Sequence, residues 1–375
     1  MKIGYIVHDL HDAAVHRRTV ALREAGAEVV LAGFVRGSAA TSASIATDAT
    51  LVLGHTEDAK LAKRAVSVLA EIAFSAKLRR HLAECDVVIA RNLESLAIAG
   101  RVVGTRPLVY ECLDIHRLLL GEGLPHRLVQ SVEARLLRRV DLILTSSPAF
   151  AREYFAHRPY DGDIVLLENR LDTSPFGGDP GVRPAPPTPP QGRWTIGWFG
   201  MLRCRRTLRE LLRLAEVYSD RVEILIAGKP SPAELPDLAE RAAGYSNVTY
   251  VGPYRPGDLP DLYSRCHFAW CIDWFEEGLN SAWLLPNRLY ESAAFGVVPI
   301  ALEEVETGRW LRQHECGVVI DRLNDLDGFL RELTSETYSF ERNRIAGLDR
   351  SAVVADRAET DALLGRFSHL KTRRS

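Results

Sequence analysis

The sequence predicts an α/β protein built from two Rossmann-like domains. Short apolar runs alternate with helical segments through most of the 375 residues, a pattern typical of βαβ units and parallel sheets. A stretch rich in proline and glycine, 172–193, interrupts this alternation, which restarts at 194. The length also supports two domains, because a single hydrophobic core rarely grows beyond about 250–300 residues.

The first domain is predicted to span 1–171. Its apolar runs, such as KIGYIV and DVVIA, are continuous, as in strands that are buried on both faces of a sheet. The predicted strands are 2–7, 28–34, 86–90, 107–111, 141–147 and 163–169. The predicted helices are 13–26, 58–84, 93–100, 125–139 and 148–157.

The second domain is predicted to span 194–345, after the 172–193 linker and before a helix and basic tail at 346–375. Its predicted strands are 194–200, 222–228, 248–253, 267–273, 297–302 and 317–320. Its predicted helices are 206–217, 231–243, 257–264, 284–295 and 307–313. Since ligands of open α/β sheets bind beyond the carboxyl ends of the strands, we expect the two domains to face each other across a substrate cleft.

The composition argues against several classes of protein. A net charge of −2 does not suit a nucleic-acid binder. The six cysteines include no CxxC pair, which argues against a zinc site or a disulfide framework and favours buried thiols in a reducing compartment. The start MKIGYIVHDL is too short and polar for a signal peptide, and no apolar run reaches about 18 residues. We therefore expect a cytoplasmic protein.

The turn after the strand at 194–200 is predicted to bind phosphate. Gly200 ends the strand, and the next helix begins with three arginines, Arg203, Arg205 and Arg206. A helix N-terminus disfavours cations, so these arginines indicate an anionic ligand, with Arg203 and Arg206 as its main contacts. A solvated basic first turn is the alternative. No GxGxxG or GxxxxGK[ST] motif occurs, which weakens redox-dinucleotide and P-loop functions.

The segment LLPNRLYE places polar residues among apolar ones. Asn287 is predicted to cap a helix after Pro286, and Glu291 lies one turn further on, on the same face as Asn287 and Arg288. A carboxylate accepts two hydrogen bonds at once, which suits the adjacent hydroxyls of a ribose. The alternative is a surface ion pair between Glu291 and Arg288. The apolar neighbours LLP and SAAFG favour the ligand-binding role.

The order of these motifs resembles the C-terminal domain of GT-B glycosyltransferases. The family pattern N-K/R-x-x-E…G-x-P-V/I matches Asn287, Arg288, Glu291, Gly296 and Pro299. The segments MKIGYIVHDL, ARNLE, YECLDIHRLL, SSPAF and FEEGLNSAWLLPNRLYE further resemble group 4-like bacterial exopolysaccharide glycosyltransferases of the succinoglycan type. The similarity extends over nearly the whole chain outside the linker and tail. It implies the GT-B fold and a nucleotide-sugar donor, with UDP as the expected nucleotide.

The resemblance also implies roles for residues of the second domain. The donor ribose and base would contact Glu291, Asn287, Gly252 and Tyr254. The donor diphosphate would contact Gly200, Arg203, Arg206 and Arg288. Many retaining members carry another glutamate before the ribose-binding one, but Trp283 occupies that position here. The donor sugar is therefore expected to contact Glu276, Glu277 or Asn280, with Asp273 as an alternative, and the departure favours inversion.

In the first domain, YECLDIHRLL places Asp114 and His116 after a buried strand. Asp114, or failing that His116, is predicted to take the proton of the acceptor hydroxyl. In a retaining enzyme His116 would instead bind the donor sugar, and Asp114 could also merely cap the next helix. The acceptor side is expected to include His8, Asp9 and Asn92. Because GT-B enzymes generally use arginines and helix dipoles in place of an ion, no metal or other cofactor is expected.

The predicted reaction moves a hexose such as glucose from a UDP-sugar to a lipid-linked saccharide in exopolysaccharide or cell-surface glycan assembly. The basic amphipathic segment 59–85 and the tail LKTRRS predict peripheral contact with the inner face of the plasma membrane. An ordinary surface helix is the alternative for 59–85. Two other functions stay open, a non-hydrolysing UDP-sugar epimerase of the same architecture and a non-catalytic nucleotide- or saccharide-binding protein.

Overall fold

A computed structural model of the chain describes residues 1–36, 49–56, 75–173, 175 and 193–374. The chain divides into two compact units. The first comprises Met1–Leu167 with Asp356–Ser375, and the second comprises Glu168–Ala355. Each unit is built on one parallel sheet with helices between its strands, which confirms the predicted α/β class with two Rossmann-like domains.

The first unit contains a parallel seven-stranded sheet in the part that the structure describes. Its strands are β1 (Lys2–Val7), β2 (Glu28–Arg36), β3 (Thr50–Thr56), β4 (Val87–Arg91), β5 (Leu108–Cys112), β6 (Leu142–Thr145) and β7 (Asp163–Leu166). They lie in the order β3-β2-β1-β4-β5-β6-β7. The order reverses between β1 and β4, and such a switch point is where open sheets bind ligands.

The helices of the first unit connect these strands. They are α1 (Ala13–Glu24), α2 (Ser75–His81), α3 (Asn92–Val102), α4 (Arg117–Leu120) and α5 (Leu124–Leu137). The segment predicted as a helix at 148–157 forms a π-helical turn, Phe150–Tyr154, followed by a 3₁₀ turn, Phe155–His157.

The second unit repeats the same architecture. Its strands are β8 (Trp194–Leu202), β9 (Val222–Pro230), β10 (Val248–Tyr250), β11 (Phe268–Trp270), β12 (Val298–Leu302) and β13 (Val318–Ile320). They are parallel, in the order β10-β9-β8-β11-β12-β13, with the switch point between β8 and β11. The helices are α6 (Arg205–Val217), α7 (Leu238–Ala243), α8 (Leu259–Ser264), α9 (Asn280–Trp283), α10 (Asn287–Ala294), α11 (Glu306–Gln313), α12 (Leu323–Glu332) and α13 (Ser335–Ala346).

The last helix, α14 (Arg357–Arg374), belongs to the first unit. Leu363 and Phe367 are buried in the same core as residues of β1 and α1. The Lys371 Nζ atom lies 2.7 Å from a carboxylate oxygen of Asp86. Residues 346–375 were predicted to form a helix and basic tail outside both domains, but the burial of Leu363 and Phe367 places the last helix in the core of the first unit.

Several elements differ from the sequence predictions. Strand β3 has no predicted counterpart. The helix predicted at 284–295 starts later than expected, because α10 begins at Asn287 after Pro286, and α9 lies outside the predicted range. Most of the helix predicted at 58–84 lies outside the described residues, and its last part forms α2. All six cysteines are free and buried, as predicted. No helix in the described part of the chain is long and apolar enough to cross a membrane.

Candidate functional site

Two glycines shape the carboxyl edge of the second sheet. Gly200 in β8 lies in register with Gly228 in β9, and a Cβ on Gly228 would come within 1.9 Å of the Gly200 carbonyl oxygen. Both have a left-handed φ, +110° for Gly200 and +140° for Gly228, which favours glycine. A Cβ on Gly200 would meet no described atom within 4 Å. Open space thus lies beside the Gly200 backbone, where a ligand can approach it.

Two of the three arginines that follow β8 have carboxylate partners. The Arg205 guanidinium lies 3.1 Å from the Glu234 carboxylate and donates to the carbonyl oxygen of the same residue. The Arg206 guanidinium stacks 4.3 Å from the centre of the Trp274 ring and donates a short hydrogen bond to Glu277. The structure thus brings together a predicted diphosphate residue, Arg206, and a predicted donor-sugar residue, Glu277.

Arg203 is different, because it forms no ion pair within the described residues. Its guanidinium carbon lies 4.5 Å from the centre of the Phe275 ring, a cation–π contact that holds the side chain without neutralising it. Lys229 is a second such cation. It is exposed at the end of β9, opposite Met201 and next to the Gly200 pair. Positive charge that no described carboxylate neutralises therefore accumulates where β8 and β9 end.

Arg288 is buried, with 8% of its surface exposed. Its Nη2 lies 3.6 Å from Asp273 Oδ2, and its buried Nε has no hydrogen-bond partner in the described structure. Asp273 also accepts a hydrogen bond of 2.9 Å from the backbone N–H of Phe275. The surface ion pair between Arg288 and Glu291, considered as an alternative above, is not formed.

Glu291 is held by a buried tyrosine instead. The Tyr263 hydroxyl donates a hydrogen bond of 3.0 Å to Glu291 Oε2, and burial raises the Tyr263 pKa well above its usual value, so the phenol stays a neutral donor. The Tyr263 ring stacks on Phe295 and packs edge-on against Phe199, and Phe199 also contacts Tyr254. One aromatic wall thus connects the residues predicted for the ribose, Glu291, and for the base, Tyr254.

Two further predicted donor residues have different local roles. Asn287 is the exposed first residue of α10, and the N-cap position is occupied by Pro286, so the predicted Asn287 cap is wrong. Proline suits this position because it donates no backbone hydrogen bond that the helix would leave unsatisfied. The Gly252 carbonyl accepts a hydrogen bond of 2.8 Å from the Gly228 N–H, which ties the loop after β10 to the end of β9.

A pocket of about 340 Å³ opens between the loop after β11 and the start of α11. Its polar lining comes from Asp273, Glu277, Ser281, Glu304 and Thr307. Of the other residues predicted to contact the donor sugar, Asn280 is buried at the start of α9, and the backbone N–H of Glu276 donates to the Ser281 hydroxyl at 3.0 Å. The structure thus places Glu277, but neither of the other two, on the wall of this pocket.

The switch point of the first sheet holds a buried charge network. Glu111, at the end of β5, accepts hydrogen bonds from the Tyr5 hydroxyl, from Arg18 Nε at 3.2 Å and from Arg91 Nη1 at 3.3 Å. Arg91 also donates to Asp12 at 3.2 Å. Burial alone would raise the pKa of Glu111 and of Asp12, but the arginine charges hold both below their usual values. The acidic and basic side chains at this edge of the first sheet therefore neutralise one another.

The predicted acceptor-side residues border this network. Asn92 Nδ2 lies 3.2 Å from His8 Nδ1, and Asn92 has a left-handed φ of +66° at the start of α3. Asp9 instead accepts a hydrogen bond of 3.0 Å from the backbone N–H of His11. The structure thus brings His8 and Asn92 together, while Asp9 stabilises its own turn.

The two candidate bases lie on the loop after β5. Asp114 is exposed, and the N-cap of α4 is His116, so the alternative in which Asp114 caps this helix is wrong. His116 Nδ1 accepts a hydrogen bond of 3.2 Å from the Leu118 N–H. In a neutral imidazole this arrangement leaves the ring proton on Nε2.

Comparison with known proteins identifies the family. Residues 12–170 match the family described as glycosyl transferase 4-like domain. Over 381 aligned residues the chain is 40% identical to succinoglycan biosynthesis protein ExoL of Rhizobium meliloti (strain 1021), an alignment that covers 99% of this chain and 94% of that protein. The chain belongs to the glycosyl transferase 4-like family. It is a glycosyltransferase, as the sequence resemblance implied.

Solved structures confirm the fold of this glycosyltransferase. Sucrose-phosphate synthase from Thermosynechococcus elongatus superimposes with a TM-score of 0.72 at 14% identity, covering 100% of both chains. Anabaena Alr3699/HepE, solved in complex with UDP and glucose, gives a TM-score of 0.68 at 14% identity, covering 98% of this chain and 99% of that one. At this identity the likeness concerns the fold, which is GT-B.

Sequence reasoning missed two residues near the carboxyl edge of the second sheet, Lys229 and Tyr263. Lys229 had a local signal, the Gly-Lys-Pro that ends the apolar run VEILIAGKP. Tyr263 had none, because its contact with Glu291 spans 28 positions of the chain.

The described residues contain no group of three histidine, cysteine or acidic side chains arranged to hold a metal ion. The expectation that the glycosyltransferase needs no metal stays a prediction.

Proposed function

We propose that this glycosyltransferase moves a hexose from a UDP-linked donor to a lipid-linked saccharide in exopolysaccharide assembly. The observation that carries the proposal is the donor-side edge of the second sheet. There Glu291, held by Tyr263, shares an aromatic wall with Tyr254, and Arg203 and Lys229 supply cations that form no ion pair with any described residue. The printed role of the relative, succinoglycan biosynthesis, and the UDP complex of the structural neighbour support the same choice.

The residues of the second unit bind different parts of the UDP-hexose. The Glu291 carboxylate binds the ribose hydroxyls, and Tyr254 lies beside the base. Arg203 and Lys229 bind the diphosphate next to the open Gly200 backbone. Together with Arg288 they stabilise the negative charge that develops as the diphosphate leaves. The pocket beside Glu277 receives the hexose, whose hydroxyls suit its carboxylates and hydroxyl groups.

The first unit supplies the acceptor side. Asp114 is the general base of an inverting transfer, because it is the exposed carboxylate of the loop after β5. The His116 Nε2–H donates to a sugar oxygen, and His8 with Asn92 binds the acceptor saccharide. The reaction proceeds without a bound metal and at the cytoplasmic face of the membrane that carries the acceptor.

A thermal-shift screen with UDP, GDP, dTDP and NAD tests the donor assignment. UDP is expected to raise the unfolding midpoint of the wild type, since a ligand at about 100 times its dissociation constant adds about 2.7 kcal/mol of stability. Glu291→Ala should lose this response. Glu303→Ala is the matched control, because Glu303 is an exposed glutamate of the same unit that pairs with Arg312.

Stabilisation by NAD and not UDP would contradict the donor assignment.

Turnover of the UDP-hexose distinguishes a transferase from an epimerase and from a non-catalytic binding protein. A transferase consumes the donor only when the lipid-linked acceptor is present, and proton NMR of the product reports whether the anomeric configuration is inverted. Interconversion of the UDP-sugar without any acceptor would show an epimerase, and binding without turnover would show a non-catalytic protein.

A further inference from the structure

Helix α5 leaves a row of large apolar side chains uncovered. Leu124, Leu128 and Val132 are 82%, 68% and 45% exposed. Their spacing of four residues places them on one face of the helix. The opposite face is buried in the first unit through Glu133 and Leu137. An exposed stripe of this kind on a folded unit marks an interaction surface.

The charges on the same face are all positive. Arg127, Arg135 and Arg138 are exposed, follow the apolar stripe in helical spacing and form no ion pair within the described residues. The one acidic residue of α5, Glu133, faces inward, where it accepts a hydrogen bond from the Tyr154 hydroxyl. The exposed face therefore combines apolar side chains with unneutralised arginines.

We propose that this face, the α5 surface (Leu124, Arg127, Leu128, Val132, Arg135 and Arg138), docks on an anionic lipid bilayer. Leucines with flanking arginines are the composition of helices that lie in the plane of a membrane interface. The arginines contact the anionic head groups, and the apolar stripe enters the boundary of the acyl chains. Charge complementarity selects this partner, because the α5 surface presents no carboxylate with which a second copy of the same face could pair.

Hydrogen bonds connect the α5 surface to the acceptor-side loop. Gln130 Nε2 donates to the carbonyl of Leu119 at 2.8 Å, and His126 Nδ1 lies 3.0 Å from the carbonyl of Leu118. Both carbonyls belong to α4, the short helix that His116 caps. Docking through α5 would thus hold this loop beside the membrane, where a lipid-linked saccharide is anchored. This last link rests on the proposed function, whereas the docking itself does not.

Co-sedimentation of the full-length protein with vesicles tests the proposal. The wild type should bind vesicles of phosphatidylcholine with phosphatidylglycerol, bind pure phosphatidylcholine far less and lose binding as salt is raised. Each of Arg127→Gln, Arg135→Gln and Arg138→Gln should weaken binding about fivefold. The double variant Leu124→Ser with Leu128→Ser should weaken it about tenfold or more. Val217→Ser, at a 58% exposed position of the second unit, is the control.

Several outcomes would overturn the docking. They are equal binding to both vesicle types, α5 variants that bind like the wild type, or a concentration-dependent dimer that the leucine variants abolish without any vesicle binding. The last result would assign the surface to a second copy of the chain. The thermal response to UDP, measured on the same variants, keeps the two proposals apart. A variant that loses vesicle binding but keeps the UDP response has lost only the docking through α5. If UDP gives no thermal response while vesicle binding is intact, only the donor assignment fails.

Discussion

The two sheets have equivalent strand orders, yet the charges at their switch points are arranged in opposite ways. In the first unit Arg91 donates to both Glu111 and Asp12, inside a network that is largely buried. In the second unit Arg203 and Lys229 have no carboxylate partner among the described residues. The same topology therefore supports two chemistries. An edge that neutralises itself suits the hydroxyls of a neutral saccharide, and an edge with unpaired cations suits a diphosphate.

The largest effect is expected from Glu111→Gln. The change removes the charge that compensates Arg18 and Arg91 in a buried site, and breaking such a pair costs about 3–5 kcal/mol of unfolding free energy. Urea denaturation measures this loss. Glu291→Gln is the counterpart in the second unit. It should cost at most about 1 kcal/mol, because Glu291 is half-buried and is held by a neutral phenol.

Acid titration sharpens the same comparison. The arginines lower the folded-state pKa of Glu111, so its contribution to stability is fully present above the unfolded value of about 4.3 and disappears as the pH falls through the folded value. The stability difference between wild type and Glu111→Gln should therefore shrink below about pH 4. A difference that stays constant in acid would mean that the charge of Glu111 does not stabilise the network.

The next largest effect is expected on the affinity for UDP and not on the stability of the fold. Arg203→Ala should raise the UDP dissociation constant about 10–100-fold, because hydrogen bonds to a charged group contribute about 1.5–3 kcal/mol. Arg205→Ala should leave it within about twofold, since the Arg205 guanidinium is engaged by Glu234. Isothermal titration calorimetry measures both. Equal losses in the two variants would show that the arginines after β8 attract the nucleotide only through their overall positive charge.

The smallest effect comes from a pair of tyrosines, each of which donates to a glutamate at its own edge. Tyr263→Phe should weaken UDP binding about fivefold, because Glu291 loses the hydrogen bond that orients it, worth about 1 kcal/mol. Tyr5→Phe should lower the unfolding free energy by a similar amount and leave UDP binding unchanged, because Glu111 keeps both arginines. An effect of Tyr5→Phe on UDP affinity would contradict the separation of the two edges.

Most strands could be predicted from the sequence, because a strand buried on both faces of a parallel sheet is an uninterrupted apolar run. Strand β3, TLVLGHT, escaped because Gly54 interrupts its apolar run and its last two residues, His55 and Thr56, are polar. The helix predicted at 284–295 was wrong in its start. The helix begins only at Asn287, after Pro286 as its N-cap, and the apolar Leu284 and Leu285 before it concealed this later start.

The candidate site could be predicted where its residues are local in sequence. Glu291 and Arg288 were found from one motif, and the relevance of Arg203 from its place after a strand. Contacts between distant segments could not be found in this way, such as that of Arg206 with Glu277 or that of Tyr263 with Glu291. These depend on which loops meet at a sheet edge, and that is decided by strand order, which local periodicity does not encode.

The return of α14 to the first core has a consequence for how the protein is made. Leu171 and the segment around Val354 pair backbone to backbone, so the polypeptide enters and leaves the second unit at one place. In genetic terms, codons 168–355 form a cassette inserted into the reading frame of the first unit. A ribosome therefore delivers Phe367 only after the whole cassette, and until then the early strands lack part of their apolar cover.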